Sequence, residues 1–344
     1  MGFGSDRVVS SNLTLLQNKL KRNPESYGEE FAQQYQHYKS TLKIFQYQPN
    51  GDASHLIDLI TFISQVIQCY PSYTEEFISD LFDLLRKHSP QLESDLRLGL
   101  CKALVLLRNK KLASELTVLQ IFFDLLRCPD KELRKYLFSV TVAHIKRIQS
   151  KDRNFKLNSA LQKYVFSRLQ DSHSITARMS LLIMVDLFRK NIWNDAKTVN
   201  MIASAIFHRN SKIMTTALKF FLSEEKDDED SDDSEDEAQE DNKTLKDVMM
   251  AYRVAKKSKK RKKIMEKAKS TIRKDKKKKV GRNYGATALL LLYDPQTFAE
   301  KLLRKLESST DRFELKLQMM ALIAKTVGFH QVSCTGKTLR LLNH

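Results

Sequence analysis

The chain has 344 residues and 42% hydrophobic content, enough for two ordinary domains or one extended repeat array with a sizeable core, which excludes a globally disordered chain. Only 9 Gly and 6 Pro occur, and the apolar residues fall in runs of helical length, which argues against an all-β sandwich or barrel. The formal net charge of +18 points to an anionic partner.

In chain order, Val8 to Leu20, Tyr27 to Tyr47 and Leu56 to Tyr70 read as helices, bounded by Pro24 and by Pro49-Asn50-Gly51, and form an N-terminal cap and first repeat. Then an internal repeat emerges. Phe82-Asp83-Leu84-Leu85-Arg86 returns 41 residues later as Phe123-Asp124-Leu125-Leu126-Arg127, with weaker echoes at Phe166 and Phe207. The Phe spacings of 41, 43 and 41 match the period of about 40 to 47 of HEAT and armadillo repeats. Each segment closes one helix, and a second follows: Leu96 to Leu107, Leu133 to Ile148, Ile175 to Phe188 and Ile213 to Leu222. Pro90, Pro129-Asp130, Asp171-Ser172 and Asn210-Ser211 punctuate the pairs. The spacing therefore predicts an all-α solenoid of stacked antiparallel helix pairs, with Phe82, Phe123, Phe166 and Phe207 at equivalent buried positions. One pair cannot cover its apolar stripe alone, whereas stacked pairs can.

Four segments follow from this reading: a helical-repeat domain over 1–223, a charged insert over 224–282, a resumed repeat over 283–330 and a divergent tail over 331–344. Residues 224 to 241 hold 13 acids and one Lys, net −12, and offer almost nothing to bury, so they are expected to be disordered. Leu245, Val248, Met249, Tyr252 and Ala255 share one helical face, which predicts a short helix near 244–270. Residues 253 to 282 hold 17 Lys or Arg against Glu266 and Asp275, net +15, so the other residues still keep +15 of the total +18. A lone basic tail does not explain that balance. Beyond the insert, Phe298, Leu302 and Leu306, then Phe313, Leu317, Met320 and Ile323, predict another helix pair. An array ending at the tail exposes its last interface, which suggests a shortened form.

Little in the chain resembles catalytic or metal chemistry. The histidines at 37, 55, 88, 144, 173, 208, 330 and 344 have no metal-ligand spacing, and Cys69, Cys101, Cys128 and Cys334 are far apart, so reduced structural thiols are expected. Gly336-Lys337-Thr338 has Gln331 where a P-loop needs its first glycine. No G-x-S-x-G, dinucleotide or H-E-x-x-H motif occurs, so neither an enzyme nor a cofactor is expected. Met1 to Ser10 lacks the apolar core of a signal peptide, and Asp6 stands where a myristoylation motif wants Ser or Thr. The longest apolar run, Ala286 to Tyr293, falls well short of the roughly 20 residues that span a bilayer, so no membrane partner is expected.

The functional signal is the basic run. Lys256, Lys257, Lys259, Lys260, Arg261, Lys262 and Lys263 form one cluster, and Arg273, Lys274, Lys276, Lys277, Lys278 and Lys279 a second. That density suits an import receptor, a phosphate-binding arm, or both. With only Tyr252 and Tyr284 flanking it, RNA contact would be electrostatic rather than through base stacking. The acidic run could screen the basic one or dock basic proteins, and Ser231 and Ser234 stand among acids as acidophilic kinases favour.

Asn12-Leu13-Thr14-Leu15-Leu16-Gln17, the stretch Pro24 to Tyr47, the Phe-Asp-Leu-Leu-Arg repeats, the acidic insert and Gly281-Arg282-Asn283-Tyr284-Gly285 together resemble the severe-depolymerisation-of-actin (Sda) family of nucleolar proteins over residues 1 to about 330. The resemblance implies a helical-repeat factor on large-subunit (60S) pre-ribosomes, needed for their maturation and nuclear export, with pre-ribosomal RNA and assembly proteins as partners. Family members are longer, and this chain departs from them after Phe329. A nuclear transport adaptor similar to a karyopherin is the competing expectation. It predicts a groove lined by acids or by Asn and Trp, against a basic body with one Trp, Trp193.

Overall fold

In a computed structural model the described residues are 5–47, 53–89, 91–152, 154–222 and 284–331, and among them there is no strand. They separate into two compact units, Met1–Asn194 and Asp195–His344.

The first unit contains α1 (Ser5–Arg22), α2 (Gly28–Tyr47), α3 (Ser54–Val66), α4 (Thr74–His88), α5 (Ser94–Asn109), α6 (Glu115–Leu125), α7 (Lys131–Arg147), α8 (Phe155–Arg168) and α9 (Ser174–Arg189). Alternate helices stack: α3 on α5, α5 on α7 and α7 on α9 make one layer, while α4 on α6 and α6 on α8 make the other. This is the expected solenoid of antiparallel pairs, α2/α3, α4/α5, α6/α7 and α8/α9. Local chemistry sets the ends. The Asp130 side chain accepts the Leu133 N–H at 3.0 Å to cap α7, and Asn154 accepts from Leu157 at 3.1 Å to cap α8. Both α5 and α9 finish with a left-handed residue, Lys111 (φ 62) and Asn191 (φ 53), followed by a bond from Leu112 N–H to Leu107 O or from Ile192 N–H to Leu187 O.

Two expectations need correction. The helix expected over Leu56 to Tyr70 stops at Val66 and continues as 3-10 turns, Ile67–Cys69 and Pro71–Tyr73. Pro71 disfavours helical backbone in the residue before it, and Tyr70 sits at φ −131, ψ 75. The repeated phenylalanines do hold equivalent places near the ends of first helices, but only Phe123 is buried, whereas Phe82, Phe166 and Phe207 are half-buried. The innermost position lies one residue earlier, at Leu81, Phe122, Val165 and Ile206, each at most 1% exposed.

Phe31 of α2 stacks on Tyr70, which lies between the two 3-10 turns, with ring centroids 4.0 Å apart, and Lys39 of α2 bridges Glu76 and Asp80 of α4 at 2.8 and 2.5 Å. The second unit comprises α10 (Ala196–Ala205), α11 (Ser211–Leu222), α12 (Tyr284–Leu290), α13 (Pro295–Ser308) and α14 (Phe313–His330). Here α13 and α14 pair, α11 packs on α12 and α14, and the Lys325 ammonium donates to Leu222 O at 3.2 Å.

Candidate nucleic-acid interface

Both basic clusters, residues 256–263 and 273–279, together with Ser231 and Ser234, lie outside the described residues, as does Gly336-Lys337-Thr338. What the described body offers is a division of charge between two edges of the first unit.

Antiparallel pairing puts the C-terminal ends of α4, α6 and α8 on one edge beside the N-terminal ends of α5, α7 and α9. On that edge cations meet acids. Arg97 lies 4.0 Å from Asp130, Arg127 and Arg168 lie 3.4 and 3.5 Å from Asp171, and Lys87 pairs with Asp83 at 2.9 Å. Burial works against the charges of Asp130 and Asp171. Even so, the N–H groups of Leu133 and His173 and the neighbouring arginines hold both carboxyls below the usual range.

The opposite edge collects the C-terminal ends of α5, α7 and α9, where cations complement the helix dipoles: Arg108, Lys110 and Lys111, then Lys146 and Arg147, then Arg189 and Lys190. Two of these are engaged locally. Lys110 donates to the carbonyls of Ser64 and Gln65, and Lys190 pairs with Asp186 at 2.7 Å. Lys111, Lys146, Arg147 and Arg189 form no ion pair among the described residues. One edge is thus compensated by ion pairs, whereas on the other the acids of the α4 and α6 first turns, Glu75, Glu76 and Glu115, form no ion pair with these cations among the described residues.

Where α5 and α7 meet, two guanidiniums share one neutral oxygen. Asn109 Oδ1 accepts from Arg147 Nη1 at 2.9 Å and, more weakly, from Arg108 Nη2 at 3.5 Å. Arg147 Nη2 lies 3.3 Å from His144 Nδ1. Arg108 is 4% exposed and His144 5%, and neither guanidinium has a carboxylate within ion-pair distance among the described residues. Burial, then the charges of Arg108 and Arg147, pushes the His144 imidazole down to about 3, so it is neutral near pH 7. Burial and Arg147 bring Arg108 down to about 10, which leaves it charged.

Beside this cluster a groove of about 580 Å³ runs between α3 and α5, lined by Ile57, Thr61, Asp95, Lys102 and Val105 and reaching Asn109. Gly99 permits the close approach there, since a Cβ would stand 3.2 Å from Ile57 Cγ2. Trp193 takes no part in the groove. It is buried, and its indole N–H donates to Asn158 Oδ1 at 2.9 Å.

Sequence reasoning passed over this edge although a signal was present: Arg108, Arg147 and Arg189 are 39 and 42 residues apart, the repeat period itself. It also missed that His37 and His55 meet, with Nε2 atoms 2.7 Å apart on an exposed surface, because that contact joins two different helices, α2 and α3. No group of three candidate metal ligands exists among the described residues, and no described helix is long and apolar enough to cross a membrane.

The family model described as SDA1, HEAT repeat matches residues 62–336. The chain is 46% identical over 332 residues to a protein SDA1 homolog of Xenopus laevis, covering 96% of this chain and 48% of that protein. The Drosophila melanogaster homolog is 43% identical over 334 residues, covering 96% and 46%, and Schizosaccharomyces pombe sda1 is 34% identical over 355 residues, covering 96% and 49%. The chain therefore spans about half the length of the curated relatives it matches. The stacked helix pairs, their period and these matches place it together: the chain belongs to the SDA1 HEAT-repeat family.

Proposed function

We propose that the chain is a non-enzymatic ribosome-biogenesis factor of the nucleus and nucleolus, a scaffold for pre-ribosomal RNA and assembly proteins in the maturation and export of large-subunit precursors. The observation that supports this reading is the row of cations without ion pairs among the described residues, Lys111, Lys146, Arg147 and Arg189. Phosphate backbones are held by rows of point charges that position without reading sequence, and a repeat array supplies such a row at regular intervals. The basic clusters at 256–263 and 273–279 add a second cationic segment, and the family resemblance supplies the assignment to large-subunit precursors.

The transport-adaptor reading is less well supported. Its groove would be lined by acids or by Asn and Trp; the groove between α3 and α5 carries Asp95 and Asn109, but Lys102, neutral polar and apolar side chains make up the rest, and Trp193 is used inside the core. Affinity purification of the tagged chain from nuclear extract, with identification of the bound RNA and proteins, tests the choice. Large-subunit precursor RNA with its assembly proteins is expected. Recovery of import or export cargo without RNA would overturn the scaffold reading.

A further inference from the structure

We propose that Arg108, Arg147 and His144, gathered around Asn109 where the C-terminal ends of α5 and α7 meet, form a receptor for one phosphate group of an RNA backbone.

The case begins with unmet hydrogen-bonding capacity. Arg108 Nε, Arg147 Nε and His144 Nε2 are all buried without a partner. Guanidinium nitrogens only donate, so Arg147 Nη2 beside His144 Nδ1 requires Nδ1 to be the acceptor. The proton of the neutral imidazole then sits on Nε2. The cluster therefore contains three orphaned donors, two of them on cations, and the acceptor the guanidiniums share is the neutral amide oxygen of Asn109. Buried charges are ordinarily paired, and a buried donor without an acceptor is costly. The helix C-termini return only part of this, roughly half an elementary charge each. What would complete the cluster is an anion rich in acceptor oxygens.

A phosphate fits better than an isolated carboxylate because the cluster is not alone on its edge. Lys111 stands at the end of α5, Lys146 at the end of α7 and Arg189 one repeat further on, all without ion pairs among the described residues. A polyanion meets such a row, whereas a single acidic side chain meets one point of it. Forked guanidiniums also match phosphate geometry through paired N–H···O bonds. Asn109 is exposed, so its amide can turn outward as the oxyanion enters.

This inference rests on the reading of the chain as an RNA-binding scaffold, and the test separates the two. With the full chain, R147Q and the shape-preserving R108M/R147Q pair are compared with wild type. The first measurement is the rise in melting temperature with inorganic phosphate against chloride at matched ionic strength. The second is the salt dependence of binding to a structured RNA. Expected are a phosphate-dependent rise in wild type only, and a slope of log affinity against log salt reduced by about 0.7 to 0.9 per lost contact. Failure of wild type to bind RNA at any salt would overturn the scaffold reading, whatever phosphate does. Wild-type RNA binding with an unchanged slope and unchanged phosphate response in both variants would overturn the receptor. So would an acidic peptide that binds wild type but not the variants while RNA affinity stays the same. R147K, which keeps charge but loses the fork, should recover part of the slope, and should a glutamine variant fail to fold its slope decides the matter.

Discussion

The ammonium of Lys110 closes the end of a helix one repeat away: it donates to Ser64 O at 2.9 Å and Gln65 O at 2.7 Å, the last carbonyls of α3. Those carbonyls have no acceptor role inside their own helix, and α3 ends against a 3-10 turn rather than a glycine cap. Lys110 is half-buried, so the bonds are partly shielded from water. Charge-assisted hydrogen bonds of this kind contribute about 1.5–3 kcal/mol when well formed. Lys110→Ala is expected to destabilise the first unit by about 1–2 kcal/mol after allowance for exposure. Urea titration followed by the fluorescence of the buried Trp193, the single tryptophan, measures it; an unchanged midpoint would show the contact to be inert.

His144 gives a pH signature. Its folded-state pKa of about 3 lies below the ordinary 6.5, so between those values the unfolded chain binds a proton that the native chain does not. Stability then rises with pH across that window and is lost as pH falls through 6.5, by about 2 kcal/mol between pH 7 and pH 5 at the upper limit. The groups responsible are burial, Arg108 from α5 and Arg147 from α7 itself. His144→Gln removes the titration, so the stability difference between wild type and variant should shrink or reverse toward pH 5. Parallel stability curves from pH 7 to 5 would exclude this origin.

Much of the fold is legible in the residues themselves, for a physical reason that also marks the limit. The Phe spacing reports the repeat period because each first helix must present one apolar stripe to its neighbours. It does not report which stripe residue lies deepest. The repeated Phe sits on the flank of its helix, where its cover comes from elsewhere: Tyr164 packs edge-on against Phe123 at 5.5 Å, Trp193 against Phe166 at 6.2 Å, and the Arg86 guanidinium lies 6.0 Å from the Phe82 ring. Phe123 is buried there, whereas the others stay half exposed. The candidate site was legible in part. Clusters of Lys and Arg in the insert stand out in any charge count, while Arg108 and Arg147 read as ordinary ends of amphipathic helices. Only the packing of α5 against α7 brings their guanidiniums to one amide oxygen without a carboxylate between them.

The cluster Lys256 to Lys263 is expected to drive nuclear entry, since a compact run of Lys and Arg is what an import receptor reads. Neutralising its six lysines and Arg261 should shift a fluorescently tagged chain toward the cytoplasm. Because Arg273 to Lys279 could substitute, the same imaging with both clusters neutralised decides the matter. Undiminished nuclear accumulation in the double variant would place the signal elsewhere.

The acidic run bears on affinity rather than address. Residues 224 to 241 carry net −12 and stand eleven residues before a run of net +15, so they are expected to compete with RNA for the same cations. Such competition is electrostatic and strongest where screening is weakest, at ionic strengths whose Debye length exceeds roughly 10 Å. Deleting 224 to 241 should therefore tighten RNA binding at low salt and make little difference at high salt. Deleting 224 to 282 removes both runs and the residues between them, a loss of only +4 in net charge, and leaves the cations of the first unit in place. The deleted residues 253 to 282 hold 17 Lys or Arg, so this larger deletion should flatten the salt slope while leaving measurable binding. If the smaller deletion leaves low-salt affinity unchanged, the acidic run is no competitor. If the larger deletion abolishes binding, the helical body holds proteins alone and the insert is the sole contact with RNA.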